Sequence, residues 1–165
     1  MPLKTAREID VCNAVVDELN DIDTDLEYTA EFRWSFGFTE SDMGELRVPV
    51  RPYDTGYETE ATHEERNEYE IEIGFRKMVD RTDNDDISKH FNLLTAVADM
   101  YFIDRAIKVG APKREVVVQE KRWFPMMQRS QDSGTSPGIM DGAMETTTPL
   151  IANLIVKIRE VVETP

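Results

Sequence analysis

The sequence predicts an α+β fold: a mostly antiparallel sheet of about five strands with two helices packed on one face, in the order α-β-β-β-α-β-β. Three observations predict it. Apolar residues Ile87, Phe91, Leu94, Val97, Ala98 and Tyr101 recur at helical steps of three and four. From Glu27 to Phe38, and again from Glu68 to Val79, apolar and polar residues alternate with the period of a half-buried strand. The length of 165 residues matches one domain with a core of its own.

Ala6 to Leu19 reads as an amphipathic helix with Ile9, Cys12, Val15, Val16 and Leu19 on one side. Asp21, Asp23 and Asp25 follow at alternating positions, as in a calcium loop. The glycine position of such a loop is Leu26 and its bidentate glutamate position is Phe32, so the segment reads as a solvated turn. Tyr28, Ala30, Phe32, Trp34, Phe36 and Phe38 form the aromatic face of the first strand, with Glu27, Thr29, Glu31, Arg33 and Ser35 opposite. Thr39 to Gly44 is a polar turn, and Leu46, Val48 and Val50 start a second strand. Pro49 and Pro52 cannot donate to a ladder, which predicts an edge strand or an early end.

Tyr53 to Asn67 is acidic and poor in apolar residues and reads as a long loop. His63-Glu64-Glu65-Arg66 within it lacks the second histidine of a zinc-protease helix. The third strand, Glu68 to Val79, places Tyr69, Ile71, Ile73 and Phe75 inward. Glu68, Glu70 and Glu72 point outward, where they need solvent or basic partners from a neighbouring strand or subunit. The long helix spans Ile87 to Val109, opened by Asp83, Asp85 and Asp86 and stopped by Gly110 and Pro112. Glu115 to Phe124 is a strand containing Lys121 and Arg122 beside Trp123. Met126 to Pro149 is a second loop rich in Ser, Thr, Gly, Pro and Met, and Leu150 to Val162 is the last strand.

The charge balance narrows the function. Thirty-three acidic residues against nineteen basic leave a net charge of −14, which opposes general adhesion to nucleic acid or anionic membranes. Cys12 is the single cysteine, so no intrachain disulfide forms, and its place on an apolar helix face reads as structural. MPLKTAREID carries no run of signal-peptide type and no stretch approaches transmembrane length, so the expectation is a soluble, non-secreted chain. Catalysis needs a base, a nucleophile and an orienting group together. His63 and His90 stand apart, and no Walker loop, GxSxG or metal-spaced Cys/His cluster is present, which predicts a non-enzyme without cofactor or metal.

The order of segments resembles the tail-terminator, or tail-completion (neck), proteins of long-tailed bacteriophages. The likeness lies in AREIDVCNAVVDELN, EYTAEFRWSF, the proline-ended ELRVPVRP, EYEIEIGFRKMVD leading to LLTAVADMYF, and the closing REVVVQEKRWFP and LIANLIVKIREVV, with LIVKIR similar to the family's final strand. The resemblance implies a structural virion protein at the head–tail junction, assembled in the host cytoplasm. There a homohexameric ring ends tail-tube growth and meets tail-tube and head-completion (connector) proteins, while DNA passes through the lumen and no membrane is involved. It implies that Glu58, Glu60, Glu64 and Glu65 face the lumen or a neighbouring ring. Glu68, Glu70 and Glu72 are then expected to meet Lys157 and Arg159, or Lys121 and Arg122, of the next subunit. Two other readings stand beside it: a related neck or head-completion protein, and an acidic module that inhibits a basic partner. A small carboxylate hydrolase is the enzymatic alternative.

Overall fold

The computed structural model describes residues 6–60, 64–80, 82–101, 106–109, 114–126 and 147–163. Its elements are α1 (Arg7–Asn20), β1 (Tyr28–Phe32), β2 (Leu46–Glu60), β3 (Glu64–Asp80), α2 (Asn84–Met100), β4 (Ala106–Val109), β5 (Arg114–Met126) and β6 (Thr147–Glu163). The fold is α+β. One sheet holds six described strands in the order β1-β2-β3-β6-β5-β4, one strand more than the sequence predicts. Its neighbouring pairs are antiparallel except β1–β2, which is parallel.

Alternation builds the core. Tyr69, Ile71, Ile73 and Phe75 of β3 lie opposite Ile158, Val156, Leu154 and Ala152 of β6, and all eight are buried. Cross-strand apolar pairs on one face are what stabilise such a sheet. Val11, Cys12, Ala14, Val15 and Leu19 of α1 and Leu93, Leu94 and Val97 of α2 join the same buried cluster. Contacts from α1 reach both edge strands, β1 and β4, so the sheet curls around that helix. Burial, with the charge of Glu8 adding to it, pushes the Cys12 thiol up to about 12, so this sulfur stays protonated in the native state.

Several boundaries differ from the sequence reading. The second helix starts where Asp83 accepts a bond from the Asp86 amide at 3.0 Å, but it ends at Met100, not Val109. Ala106–Val109 is a strand in which Ile107 and Val109 are buried, because β-branched residues at period two fit a pleated ladder better than a helix. The expected loop Tyr53–Asn67 is largely two strand arms. Residues 54–60 of β2 pair with 64–70 of β3, and only 61–63, with His63, lie outside the described residues. A ladder needs backbone partners, not an apolar face, and β3 has β6 beside it along its whole length. Thr147–Pro149 likewise belongs to β6, while 127–146 of the expected second loop lie outside the described residues.

The first strand stops at Phe32 instead of Phe38, and the chain then crosses to a parallel β2. Tyr28, Thr29, Ala30, Glu31 and Phe32 pair with Leu46 through Val50, so β2 is internal there, Pro49 included. Beyond Val50 no described strand covers that side of β2, so the expected edge holds at Pro52 but not at Pro49, and the strand does not end early. The outer edge of β1 is closed by Asn20 at the end of α1. Its side chain accepts from Ala30 N at 2.7 Å and donates to Ala30 O at 3.1 Å.

One ionic contact fastens α1 to the sheet. Glu160 occupies an inward position of β6 and is 2% exposed. Arg7 Nε donates to its carboxylate at 2.9 and 3.3 Å, and Nη2 adds a second arm of the fork. Burial lowers the Arg7 pKa, but the bond and charge of Glu160 overcome it and leave the guanidinium above its ordinary value. Removing one partner strands the other. Glu160→Ala is expected to lose about 3–5 kcal/mol in urea unfolding, and Arg7→Met with Glu160→Leu to recover most of that loss.

Candidate interaction surface

The face of the sheet opposite the helices carries the glutamates singled out in the sequence. Glu68 lies opposite Arg159 and Glu70 opposite Lys157 in the β3–β6 register. Arg159 Nη2 donates to Glu68 Oε1 at 3.1 Å, and Lys157 Nζ sits 3.3 Å from Glu68 Oε2. Glu72 is 6% exposed and accepts from Arg51 Nε at 3.1 Å and Nη2 at 2.7 Å. For Glu68 the expected partners Lys157 and Arg159 are thus supplied within the chain, whereas Glu72 takes Arg51, a residue outside the expected set. Lys121 and Arg122 stand in β5 opposite Val156 and Ile155, with β6 between them and β3. Partial burial raises the Glu68 pKa, but the bonds from Arg159 and Lys157 outweigh it and the carboxyl sits below its ordinary value. With the folded value depressed, this contribution to stability is present above the unfolded glutamate value and is lost as pH falls through the folded one.

Glu58, Glu60, Glu64 and Glu65 lie on the hairpin formed by the far ends of β2 and β3. Glu58 is opposite Arg66, Thr59 opposite Glu65, and Glu60 opposite Glu64, which in turn faces Glu163 of β6. Three adjacent strands therefore place acids in one row at the hairpin end. Like charges in directly opposed positions repel.

Nearer the centre, residues 33–45 cross this same face. The Arg33 amide still bonds Val50 O at 3.0 Å, and then the chain leaves the ladder. Phe36 lands on Gly74, the outward residue between Ile73 and Phe75. A Cβ there stands 2.8 Å from Phe36 Cδ2 and Cε2 and 3.1 Å from Pro49 Cγ. The Arg51 guanidinium carbon lies 4.1 Å from the Phe36 ring centre and that of Arg76 5.5 Å; Arg33 sits 4.2 Å over Phe38. Arg51 Nη1 also donates to Trp34 O at 3.0 Å, and Arg47 Nε to Asp42 O at 2.7 Å. Arg76 bonds Phe75 O, Ala152 O and Asn153 Oδ1 at 2.9–3.0 Å. Its pKa is lowered by burial and by Arg51, against the pull of Glu72. Trp34 packs edge-on to Phe32 with ring centres 5.1 Å apart, yet remains 62% exposed, and Tyr53 is 54% exposed.

This patch is absent from the sequence reading, which placed Trp34, Phe36 and Phe38 on one strand face. The available signal was Gly74, an unexplained glycine in a strand, with arginines recurring at 33, 47, 51 and 76. Glu160 was legible too, as an acid at an inward parity position. His90 is a packing residue, 3% exposed, with Nδ1 2.8 Å from the Asp86 carbonyl oxygen. A cleft of 240 Å³ between the Ile22–Leu26 turn and α2 is lined by Asp23, Asp25, Lys89 and Leu93 among others. Among the described residues no group of three His, Cys, Asp or Glu is placed to hold a metal.

No protein-family model and no curated protein matches this chain. Gly74→Ala is expected to push the Phe36 ring off the sheet and destabilise the fold by about 1–3 kcal/mol, the usual cost of overpacking, measured by chemical denaturation.

Proposed function

We propose that the chain is a non-catalytic, ring-forming virion subunit of the tail-terminator type, at the junction of phage head and tail. In this role a ring of copies ends growth of the tail tube, presents a surface to tail-tube and head-completion proteins, and lets DNA pass through its lumen. A closed ring of identical subunits needs two different patches on each copy, one meeting the other around the circle. The observation that carries the reading is the β2–β3 hairpin. It is a long arm with an acidic end, backed by β6, and no described strand pairs with the other edge of β2 past Val50. The arginine and aromatic patch at its base differs from it in chemistry, so one copy offers two unlike surfaces.

Charge supports the same reading. At −14 the subunit repels phosphate, so a wall of such subunits lets a duplex slide without sticking. Among the described residues no helix is long and apolar enough to cross a membrane. The resemblance in segment order supplies the expectation of six copies.

Sedimentation velocity with negative-stain microscopy of the purified chain tests this. Six-fold rings whose lumen admits duplex DNA are expected. A monomer at every concentration, forming a stoichiometric complex with a basic protein, overturns it in favour of the acidic module.

A further inference from the structure

We infer that residues 34–44 form a clamp over the outer face of the sheet, with Phe36 on Gly74 as its latch and Arg51 as its clasp, and that the clamp opens as a unit while the sheet stays folded. This opening is a property of one copy and does not depend on the ring reading above. The segment connects β1 to β2. Among the described residues its backbone bonds close within itself: the Met43 amide bonds Thr39 O at 3.1 Å and the Gly44 amide bonds Ser41 O at 3.2 Å. The parallel register leaves it slack. Phe32 is level with Val50 and Tyr28 with Leu46, so the ends of the connection, Phe32 and Leu46, lie about 13 Å apart along the strands at about 3.3 Å per residue. Thirteen residues reach about 43 Å when extended, so the segment can lift without unpairing β1 from β2.

Side chains are what hold the segment down. Two of them are buried, Phe36 and Met43. Met43 lies in the 3₁₀ turn Asp42–Gly44, which rests on β2 and β3. Phe36 occupies the space that a Cβ at Gly74 would fill. Arg51 ties the latch to the sheet: its Nε and Nη2 both donate to Glu72 Oε1, which leaves Nη1 for Trp34 O at 3.0 Å and its flat face for the Phe36 ring at 4.1 Å. Arg47 holds Asp42 O. Thr39 and Asp42 bond each other, amide to side chain in both directions at 3.1 Å, so the second half of the segment keeps its shape as it lifts. A segment with two buried anchors and no ladder opens at lower free energy than the strands beneath it. Opening bares the Gly74 backbone, the Pro49 ring and the guanidinium groups of Arg51 and Arg76 that lie against Phe36. The closed clamp withholds this part of the outer face from other molecules, and the open one releases it.

Thiol labelling of the full chain with iodoacetamide in native buffer tests it. Met43→Cys puts a thiol under the clamp, and Cys12, fully buried in the core cluster, is the internal standard for opening of the fold itself. The Met43→Cys thiol is expected to react more than about a hundredfold faster than Cys12, and more than about tenfold slower than a free thiol. Low urea is expected to leave its rate unchanged while speeding that of Cys12, because a local opening exposes little surface. Added Phe36→Ala is expected to raise the rate more than about tenfold, and added Glu72→Gln, which loosens Arg51 without touching the clamp, about threefold. Equal rates for the two thiols with the same urea dependence overturn the inference, because the segment then opens only with the whole fold. Reaction at the rate of a free thiol overturns it as well, because nothing is then closed. A rate unmoved by both Phe36→Ala and Glu72→Gln removes the latch and the clasp, and the inference with them.

Discussion

The pairing of β3 with β6 is the constraint on which the other features depend. All 17 residues of β3 have a partner in β6, so two faces of equal length are fixed at once. The inward face supplies the apolar pairs on which both helices pack, and near one end it presents Glu160 to the Arg7 fork of α1. The outward face aligns Glu68 with Arg159, and it puts Gly74 where an aromatic ring can approach the backbone. A slip of one residue sends every side chain to the wrong face, so the length of this ladder specifies the register of the whole molecule.

The same ladder separates two kinds of charge. Around the middle of the outer face the acids are answered inside the chain, Glu72 by Arg51 and Glu68 by Lys157 and Arg159. Such partly buried pairs contribute orientation more than stability, since desolvation offsets much of the Coulomb gain. Toward the hairpin end the rows become acid against acid, Glu60 to Glu64 to Glu163. The register thus sets acids opposite bases at the centre of the outer face and acids opposite acids at the hairpin end. That asymmetry connects the packing of one subunit to the proposal of an assembly.

Legibility in the sequence followed apolar periodicity. The first helix, the third and last strands and the start of the second helix stood out because each buries one face, and burial writes a period of two or 3.6 into the residues. The arms 54–60 and 64–67 did not stand out, because their pairing is a backbone matter and their composition is acidic. Aromatic alternation from Trp34 to Phe38 misled in the other direction: Phe36 is apolar for its seat on Gly74, and Trp34 is apolar and exposed. The parallel β1–β2 pair was hidden as well, since a short polar segment after a strand suggests a hairpin unless the crossover's own packing is known. On the candidate surface, the outward glutamates were visible and one of the two predicted sources of partner, a neighbouring strand, supplies the contacts of Glu68. The arginines that organise the patch, scattered at 33, 47, 51 and 76, come together only through the register.

The acidic hairpin is a paired arm backed by β6 and not a free loop. Amide hydrogen exchange resolved by residue tests it most directly. Glu64 through Glu70, flanked by β2 and β6, are expected to exchange as slowly as Ile71 through Phe75 at the centre of the sheet. Exchange of those amides at the rate of an open loop, with the centre still protected, contradicts it.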